Sequence, residues 1–169
     1  TSVDEASKKL SKERGPCPDA ADYGYDERFS NKTAIAPTAS ISIICGGASP
    51  GVEPIAANSY THKTLSGSYN VRNKYLKKIL EKYGKDNSET WSSITTSQGS
   101  VSHLDFLTEH EKDVFKTAFE LNQKWIVELG ADRTPYISQA QSINIFLPAD
   151  VHKKELHQIH FQAWKQGLK

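Results

Sequence analysis

The residue types best suited to binding a ligand lie in one short segment, residues 34–54, whose sequence is AIAPTASISIICGGASPGVEP. Pro37 is followed by a run of small and hydroxyl-bearing residues that ends at Ser42. If a helix begins in this run, its unpaired N–H groups and the positive end of its dipole form an anion site. The alternative is a short strand, a turn started by proline and a Ser/Thr helix cap, with no ligand.

Helices are predicted on both sides of this segment from hydrophobic spacing and capping residues. The predicted helices cover residues 3–14, 71–83, 86–96, 109–129 and 151–166. Thr108 and Glu111 form the capping-box pattern at the start of the fourth helix, and Gly130 stands at its expected end. Asp150 is the expected cap of the last helix.

Extended structure is predicted in fewer places. Residues 59–70 alternate weakly and are rich in hydroxyl groups, which indicates a hairpin or an extended segment. A strand is predicted near residues 142–147 and ends at Pro148. The mixture of strand and helix signals, with helices in the majority, favours part of an α/β barrel over a helical bundle.

The composition is that of an ordinary globular chain. Its 169 residues are enough for one domain with a hydrophobic core. Lys and Arg total 21 and Asp and Glu total 20, so charge gives no argument for nucleic acid or an anionic membrane as a partner. No apolar run approaches the roughly 18 residues that cross a bilayer, and the N-terminus lacks the apolar segment of a secretory signal.

Cys17 and Cys45 are the two cysteines of the sequence, and they form no CxxC pair. Two separated cysteines do not predict a disulfide framework, so we expect a reduced, cytoplasmic chain. Cys45 follows an apolar run and is predicted to be a small buried hydrophobe. The sequence contains no methionine, which we interpret as the mark of a fragment, a split-gene product or a trimmed chain.

Three separated motifs resemble one protein family. PTASIS and the following GGASPGVEP resemble the substrate-phosphate loop and the next segment of the large, catalytic subunit of class I ribonucleotide reductases. ADRTPYISQAQSINIF, residues 131–146, is similar to the family motif that ends in a Gln-Ser-x-Asn strand. HFQAWKQGLK, residues 160–169, is similar to the helix end that closes the family's barrel region. The motifs occur in family order, and LSKERGPCP matches more loosely.

The resemblance implies an α/β fold, namely the C-terminal part of a ten-stranded α/β barrel that is helix-rich and incomplete as a stand-alone barrel. We expect residues 1–33 to form an N-terminal helix and loop. Residues 34–169 would form the barrel portion that carries the phosphate-binding loop. A phage-type or split-gene fragment of the large subunit fits this organisation.

The resemblance also implies which residues bind the substrate phosphates: Pro37, Thr38, Ala39, Ser40 and Ile41. Pro37 would set the turn, and the other four would offer main-chain N–H groups and hydroxyls. Ala39 and Ile41 have no polar side chain, so their contacts must use the backbone N–H. No catalytic residue, metal ligand or cofactor is assigned within this chain.

By the same resemblance, the complete enzyme reduces ribonucleoside diphosphates to deoxyribonucleotides with a thiyl-radical cysteine, a redox pair of cysteines and a tyrosine relay. The sequences that flank those groups in the family do not occur here, so the chain alone is predicted to be inactive. Its implied partners are the remainder of the large subunit, a small (beta) subunit with a metal/tyrosyl radical, and a thiol reductant of the thioredoxin or glutaredoxin type. The alternative is a non-catalytic phosphate- or nucleotide-binding remnant, or an assembly partner of a split reductase.

Other polar clusters have both a functional and a structural interpretation. Tyrosines within the sequence are expected to be half-buried packing residues rather than radical carriers: Tyr60, Tyr69, Tyr75, Tyr83 and Tyr136. Three histidines cluster on the last predicted helix as a metal pair or a solvated surface: His152, His157 and His160. Polar residues around the 142–147 strand would line a site or satisfy loop backbone groups: Arg133, Gln139, Gln141, Ser142 and Asn144.

Overall fold

The computed structural model describes residues 1–46, 48–65 and 67–169. Within these residues the elements follow in chain order: α1 (Ser2–Arg14), α2 (Pro18–Asp22), α3 (Ala39–Ile44), β1 (Ser59–Thr64), β2 (Gly67–Arg72), α4 (Lys74–Lys82), α5 (Ser88–Thr96), α6 (Glu109–Val114), α7 (Lys124–Arg133) and α8 (Lys153–Lys165). Short 3₁₀ turns occupy Ala118–Glu120 and Thr134–Tyr136. The elements divide into two compact units. The first comprises Thr1–Gly51, Lys124–Asn144 and Val151–Lys169, and the second Val52–Gln123 and Ile145–Asp150.

In the first unit, α1 begins at a capping box. The Thr1 hydroxyl accepts from the Asp4 N–H, and the Asp4 carboxylate accepts from the Thr1 backbone nitrogen. Its buried face carries serines rather than large apolar residues. The Ser7 Oγ accepts from the N–H groups of Arg28 and Phe29 at 3.2 and 3.3 Å. Hydroxyls on this helix therefore hold the loop that follows it.

Lys32 lies between two carboxylates of the same unit, with its Nζ 2.6 Å from Asp4 and 3.3 Å from Glu27. Its hydrogen bond to Asp4 lowers the pKa of that carboxyl strongly. Hydrogen bonds from Ser7 and Lys32 lower the pKa of Glu27, and the two carboxylates raise the pKa of Lys32. The charges tie the start of α1 to the chain before the candidate loop.

Also in the first unit, α7 and α8 pack together where Gly130 allows a close approach. A Cβ on Gly130 would lie 2.8 Å from Ile143 Cδ1 and 3.2 Å from Leu168 Cδ2. After α7 the chain runs beside Thr33, because the N–H groups of Ser138 and Gln139 donate to the Thr33 carbonyl. Residues more than a hundred positions apart are joined in this way.

The second unit has an apolar core built by α4, α5 and the chain after them. Its buried members are Leu76, Leu80, Trp91, Ile94, Val101, Leu104, Leu107 and Phe115. β1 and β2 form an antiparallel hairpin in which Ser59 pairs with Arg72 and Thr61 with Asn70. The predicted hairpin is thus confirmed, and it extends over residues that were assigned to a helix beginning at position 71.

Several predicted helices differ from the observed ones at their ends or in their interior. α4 begins at Lys74 because Asn73 caps it, accepting from the N–H groups of Tyr75 and Leu76. The cap of α8 is His152, whose Nδ1 accepts from the Lys154 N–H, and Asp150 is not the cap. The loop expected after the first helix, within residues 1–33, contains α2, with Pro18 in its first turn.

The long helix predicted for residues 109–129 is wrong. α6 begins at the predicted Thr108–Glu111 capping box but ends at Val114. A second capping pair then begins the 3₁₀ turn at Ala118–Glu120. In this pair the Thr117 N–H and hydroxyl both donate to Glu120 Oε2, at 2.8 and 2.9 Å. Gly130 therefore lies inside α7 rather than at a helix end.

The strand predicted near residues 142–147 is also absent from the described part of the chain. A strand needs a backbone ladder with a neighbour. In this segment the Phe146 N–H instead donates to the side-chain oxygen of Gln123 at 2.9 Å, and the Phe146 ring packs edge-on against Phe119. Phe146 is thus held by side chains and not by a backbone ladder.

Candidate functional site

The candidate loop, residues 37–41, crosses from irregular chain into α3. Thr38 is the N-cap residue, but its side chain does not cap the helix. Instead its N–H and its hydroxyl both donate to the Pro50 carbonyl, at 2.8 and 3.1 Å. These two hydrogen bonds to one carbonyl oxygen join the two ends of the loop, Thr38 and Pro50, and use both donors of Thr38.

The backbone donors of the next three residues remain available. No described residue accepts a hydrogen bond from the N–H groups of Ala39, Ser40 and Ile41, and helical bonding begins with Ser42 N–H to the Thr38 carbonyl. Residues 39–41 are exposed, and the Ser40 hydroxyl has no acceptor or donor within the described residues. The loop therefore offers three N–H groups and one hydroxyl to an anion, which is the donor set that a phosphate accepts.

The rest of α3 places its polar side inward and its apolar side outward. Ser42 is buried and donates to the Ala39 carbonyl at 3.1 Å. Ile41, Ile43 and Ile44 are 59%, 60% and 85% exposed. Cys45 at the helix end is exposed and free, so the prediction that it is a buried hydrophobe is wrong. The helix buries the side that carries Ser42, and the end of the apolar run faces outward.

Pro50 is a structural partner of this loop that residue types did not reveal. The sequence shows it as a rigid proline, whereas the structure uses its carbonyl as the acceptor for Thr38. Because every residue has a carbonyl, nothing in the side chains marks this one.

The polar residues around position 141 satisfy loop backbone. The Gln141 amide donates to the Gly130 carbonyl and to the Thr134 hydroxyl, and its oxygen accepts from Arg133 Nε at 3.0 Å. These bonds join the end of α7 to the following segment within the first unit. The structure thus favours the structural interpretation for Arg133 and Gln141.

The α8 histidines bond within their own helix or stack on it. His160 Nδ1 lies 3.1 Å from the Leu156 carbonyl, and the His157 ring stacks on Phe161 at 6.0 Å between centroids. Across the described ranges, no group of three His, Cys, Asp or Glu side chains is placed to hold a metal ion. In the same ranges no helix is long and apolar enough to span a membrane.

Most of the tyrosines are more exposed than expected. Tyr83 is the packing tyrosine, since its ring lies 5.8 Å from Phe106 and its hydroxyl donates to Glu111. The others are exposed, so the half-buried expectation is wrong for them: Tyr60, Tyr69, Tyr75 and Tyr136. On the hairpin the reason is register, because Tyr60 and Tyr69 share the face opposite the one that meets α5.

The family model of the ribonucleotide reductase barrel domain covers residues 18–169, which include the candidate loop and all three motifs. The chain belongs to this family. The helix-rich fold with one small sheet is consistent with a partial α/β barrel of the ribonucleotide reductase type.

Individual relatives agree with the family match. The ribonucleoside-diphosphate reductase large subunit of Invertebrate iridescent virus 6 is 50% identical, over 99% of this chain and 18% of the relative. The large subunit of Invertebrate iridescent virus 3 is 45% identical, over 99% of this chain and 27% of the relative. Among solved structures, the class Id ribonucleotide reductase alpha subunit of Actinobacillus ureae matches with a TM-score of 0.79 and 38% identity. That match covers 98% of this chain and 30% of the alpha subunit.

The chain matches only part of the length of each relative. It spans less than a third of the length of each of these relatives. The match therefore corresponds to a portion of a ribonucleotide reductase large subunit.

Proposed function

We propose that this chain supplies the substrate-phosphate loop of a ribonucleoside-diphosphate reductase, with Pro37, Thr38, Ala39, Ser40 and Ile41 as the binding residues. The family match over residues 18–169 carries the proposal, because its relatives are named as ribonucleoside-diphosphate reductase large subunits. The exposed, unbonded donors of residues 39–41 support it. The alternative of a non-catalytic remnant has no observation in its favour.

The loop residues would divide the work of holding a diphosphate. Ala39, Ser40 and Ile41 would donate their backbone N–H groups to phosphate oxygens, and the Ser40 hydroxyl would add a fourth donor. Pro37 and Thr38 would shape the loop, since both donors of Thr38 are bonded to the Pro50 carbonyl. Backbone donors held by a closed loop need little reorganisation on binding.

The reduction itself would take place with groups outside this chain. Cys17 and Cys45 are free and lie in no redox pair. Among the described residues, no three His, Cys, Asp or Glu side chains are grouped to hold a metal ion. Its proposed partners are a ribonucleoside diphosphate, the remainder of the large subunit, a radical-generating small subunit and a thiol reductant. Free thiols fit a reducing compartment, and we place the assembly in the cytoplasm.

A charge introduced at Ser40 tests the loop. In S40D a carboxylate would lie among the phosphate donors, and we expect at least ten-fold weaker binding of a ribonucleoside diphosphate, measured by titration of the 169-residue chain. The helix itself should remain folded, because an acidic residue in the first turn interacts favourably with the helix dipole. The matched control is S2D, which makes the same change in the first turn of α1. Equal binding by S40D and the unchanged chain would refute the loop assignment.

Complementation tests the wider proposal. The chain alone should show no reductase activity, and activity should appear when it is combined with the remaining large-subunit segments and a small subunit. Within that assembly, S40D should lower kcat/KM at least ten-fold relative to S2D. Activity from the chain alone would contradict the proposed division of chemistry, and no gain on complementation would favour a remnant.

A further inference from the structure

A polar cleft lies within the second unit, between one face of the β1–β2 hairpin and α5. It has a volume of about 250 Å³. The hairpin contributes Ser59, Tyr60, Thr61, Asn70 and Arg72. All of these except Tyr60 share one face, because 59 pairs with 72 and 61 with 70. The helix contributes residues at spacings of three and four, so they also share a face: Ser88, Trp91, Ser92 and Thr95.

We propose that this cleft binds the phosphate group of a small phosphorylated metabolite, with the guanidinium of Arg72 as its main anion ligand. Arg72 has no carboxylate of the described residues within 4.0 Å, so its charge is not neutralised by an ion pair. An unpaired guanidinium keeps its fork of N–H donors for a bidentate bond to phosphate. The inference is independent of the loop at residues 37–41.

Trp91 holds the guanidinium in place. The Arg72 Cζ lies 4.9 Å from the centroid of the indole ring, a cation–π distance. The indole N–H donates to Asp86 Oδ1 at 2.6 Å, so the ring is itself fixed by a charged partner. Because Trp91 is only 2% exposed, its face is already covered and cannot stack on a nucleobase. The indole therefore serves as a support for the guanidinium and not as a stacking surface for a ligand.

The remaining lining adds donors that suit phosphate and sugar oxygens. The Ser59 and Thr95 hydroxyls form a hydrogen bond with each other at 2.9 Å, so they have little hydrogen-bonding capacity left for a ligand. The Asn70 oxygen accepts from Thr61, which leaves its amide N–H groups without an acceptor among the described residues. Ser88 and Ser92 present hydroxyls without partners in the same residues, and Ser88 opens the nine-residue α5, where the dipole favours an anion. Asp86, engaged by the indole, is the opposing charge beside the cleft.

The volume limits the size of the ligand. Sites for drug-sized molecules have about 300–1,000 Å³, and this cleft is slightly smaller than that range. A pentose phosphate fits the size, the charge and the hydroxyl-rich lining. We therefore take ribose 5-phosphate as the probe, with inorganic phosphate and ribose as the two partial probes.

Nitrogen-15 NMR of the full 169-residue chain reads out this site directly. Ribose 5-phosphate at low ionic strength should shift the indole N–H signal of Trp91, while Trp125 and Trp164 serve as internal references. R72Q should bind at least ten-fold more weakly, and R72K should be intermediate because it keeps the charge but loses the fork. R14Q removes the same charge from exposed residue 14 and should bind normally.

A second variant keeps the test independent of any structural role of Arg72. S92E places a carboxylate on an exposed position of the lining, and it should abolish binding without changing the Trp91 fluorescence of the free chain. If inorganic phosphate binds as tightly as ribose 5-phosphate, the site is assigned to free phosphate. Unchanged affinity in R72Q, an equal response to ribose, or shifts confined to residues 37–41 would each overturn the proposal.

Discussion

Asn58 is 1% exposed, and both polar atoms of its side-chain amide form hydrogen bonds within the second unit. Its Nδ2 donates to the carbonyls of Gly99 and Phe115 at 3.0 and 2.7 Å, and its Oδ1 accepts from Asn73 at 2.9 Å. Its backbone also bonds Gly99 and Asn73. One buried amide therefore connects the hairpin, the cap of α4 and the ends of α5 and α6.

We expect N58A to lower the free energy of unfolding by about 3 kcal/mol, because buried partners lose their bonds and a small cavity forms. Fluorescence of the buried Trp91 during urea denaturation would measure the change. N31A, at an exposed position of the first unit, should stay within about 0.5 kcal/mol of the unchanged chain. A similar small effect for N58A would show that the amide network contributes little.

Glu111 is a second residue whose charge matters to local structure. Hydrogen bonds from the Thr108 backbone and hydroxyl, and from Tyr83, lower the pKa of its carboxyl below the ordinary 4.5. A depressed carboxyl pKa stabilises the folded state above the ordinary value and loses that contribution as pH falls. The same contact raises the pKa of Tyr83, so its contribution is lost as pH rises above the ordinary value of 10.

We expect the stability of the unchanged chain to fall as the pH drops below about 4.5, the ordinary pKa of glutamate, and E111Q to show a shallower fall. Y83F should mainly remove the loss above about pH 10. Thermal melts across pH would report both effects. Parallel pH profiles for E111Q and the unchanged chain would contradict the role assigned to the carboxylate.

At the scale of elements, packing against α5 determines which face of the hairpin is covered. Its hydroxyl-bearing face meets α5 through the Ser59–Thr95 bond, and its aromatic face, with Tyr60 and Tyr69, is exposed. The alternation was visible in the sequence, but hydrophobicity alone would have placed the tyrosines inward. The helix surface opposite, with three hydroxyl residues and the covered Trp91, decides the matter.

The turn after α5 depends on glycine for two separate reasons. Gly99 has φ of +83°, and an added Cβ would lie 2.9 Å from the Asn58 nitrogen and closer still to Ala57. Gly84, after α4, has φ of +65° and open space around it. The two glycines thus share the left-handed backbone and differ in steric crowding.

We expect G84A to cost about 1 kcal/mol, which is the strain of the left-handed conformation. G99A should cost at least about 3 kcal/mol, because backbone atoms must also move. Urea denaturation followed by Trp91 fluorescence would compare the two variants. Equal costs would mean that the turn relaxes freely around position 99.

At the scale of the whole molecule, the clearest unsatisfied feature is the apolar side of α3. Ile41, Ile43 and Ile44 are exposed on a six-residue helix whose buried residue is Ser42. Contiguous exposed apolar groups promote association. The three side chains therefore form an apolar surface that a second copy of the chain can cover.

We expect the isolated chain to self-associate as its concentration rises, measured by sedimentation velocity. The double variant I43K/I44K should reduce association and leave the unfolding midpoint nearly unchanged, since both side chains are exposed. The matched control K77A/K78A changes two exposed positions of α4 and should leave association unaltered. Undiminished association of I43K/I44K would move the contact surface elsewhere.

The sequence by itself determined the family, the starts of α1 and α6, the hairpin and the extent of α5 to within two residues. These features depend on local signals: capping pairs, alternation and contiguous motifs. The Thr117–Glu120 pair that divides residues 109–129 was also present, but the 3.6-residue hydrophobic period outweighed it. Only the tertiary structure decided that Thr38 bonds Pro50, that Cys45 faces outward, that residues 142–147 lack a pairing strand and that Arg72 lies over Trp91. The two contacts join groups that are separated in sequence, and the outward position of Cys45 follows from which side of α3 is buried. Local residue patterns carry no information about which separated groups meet or which side is covered.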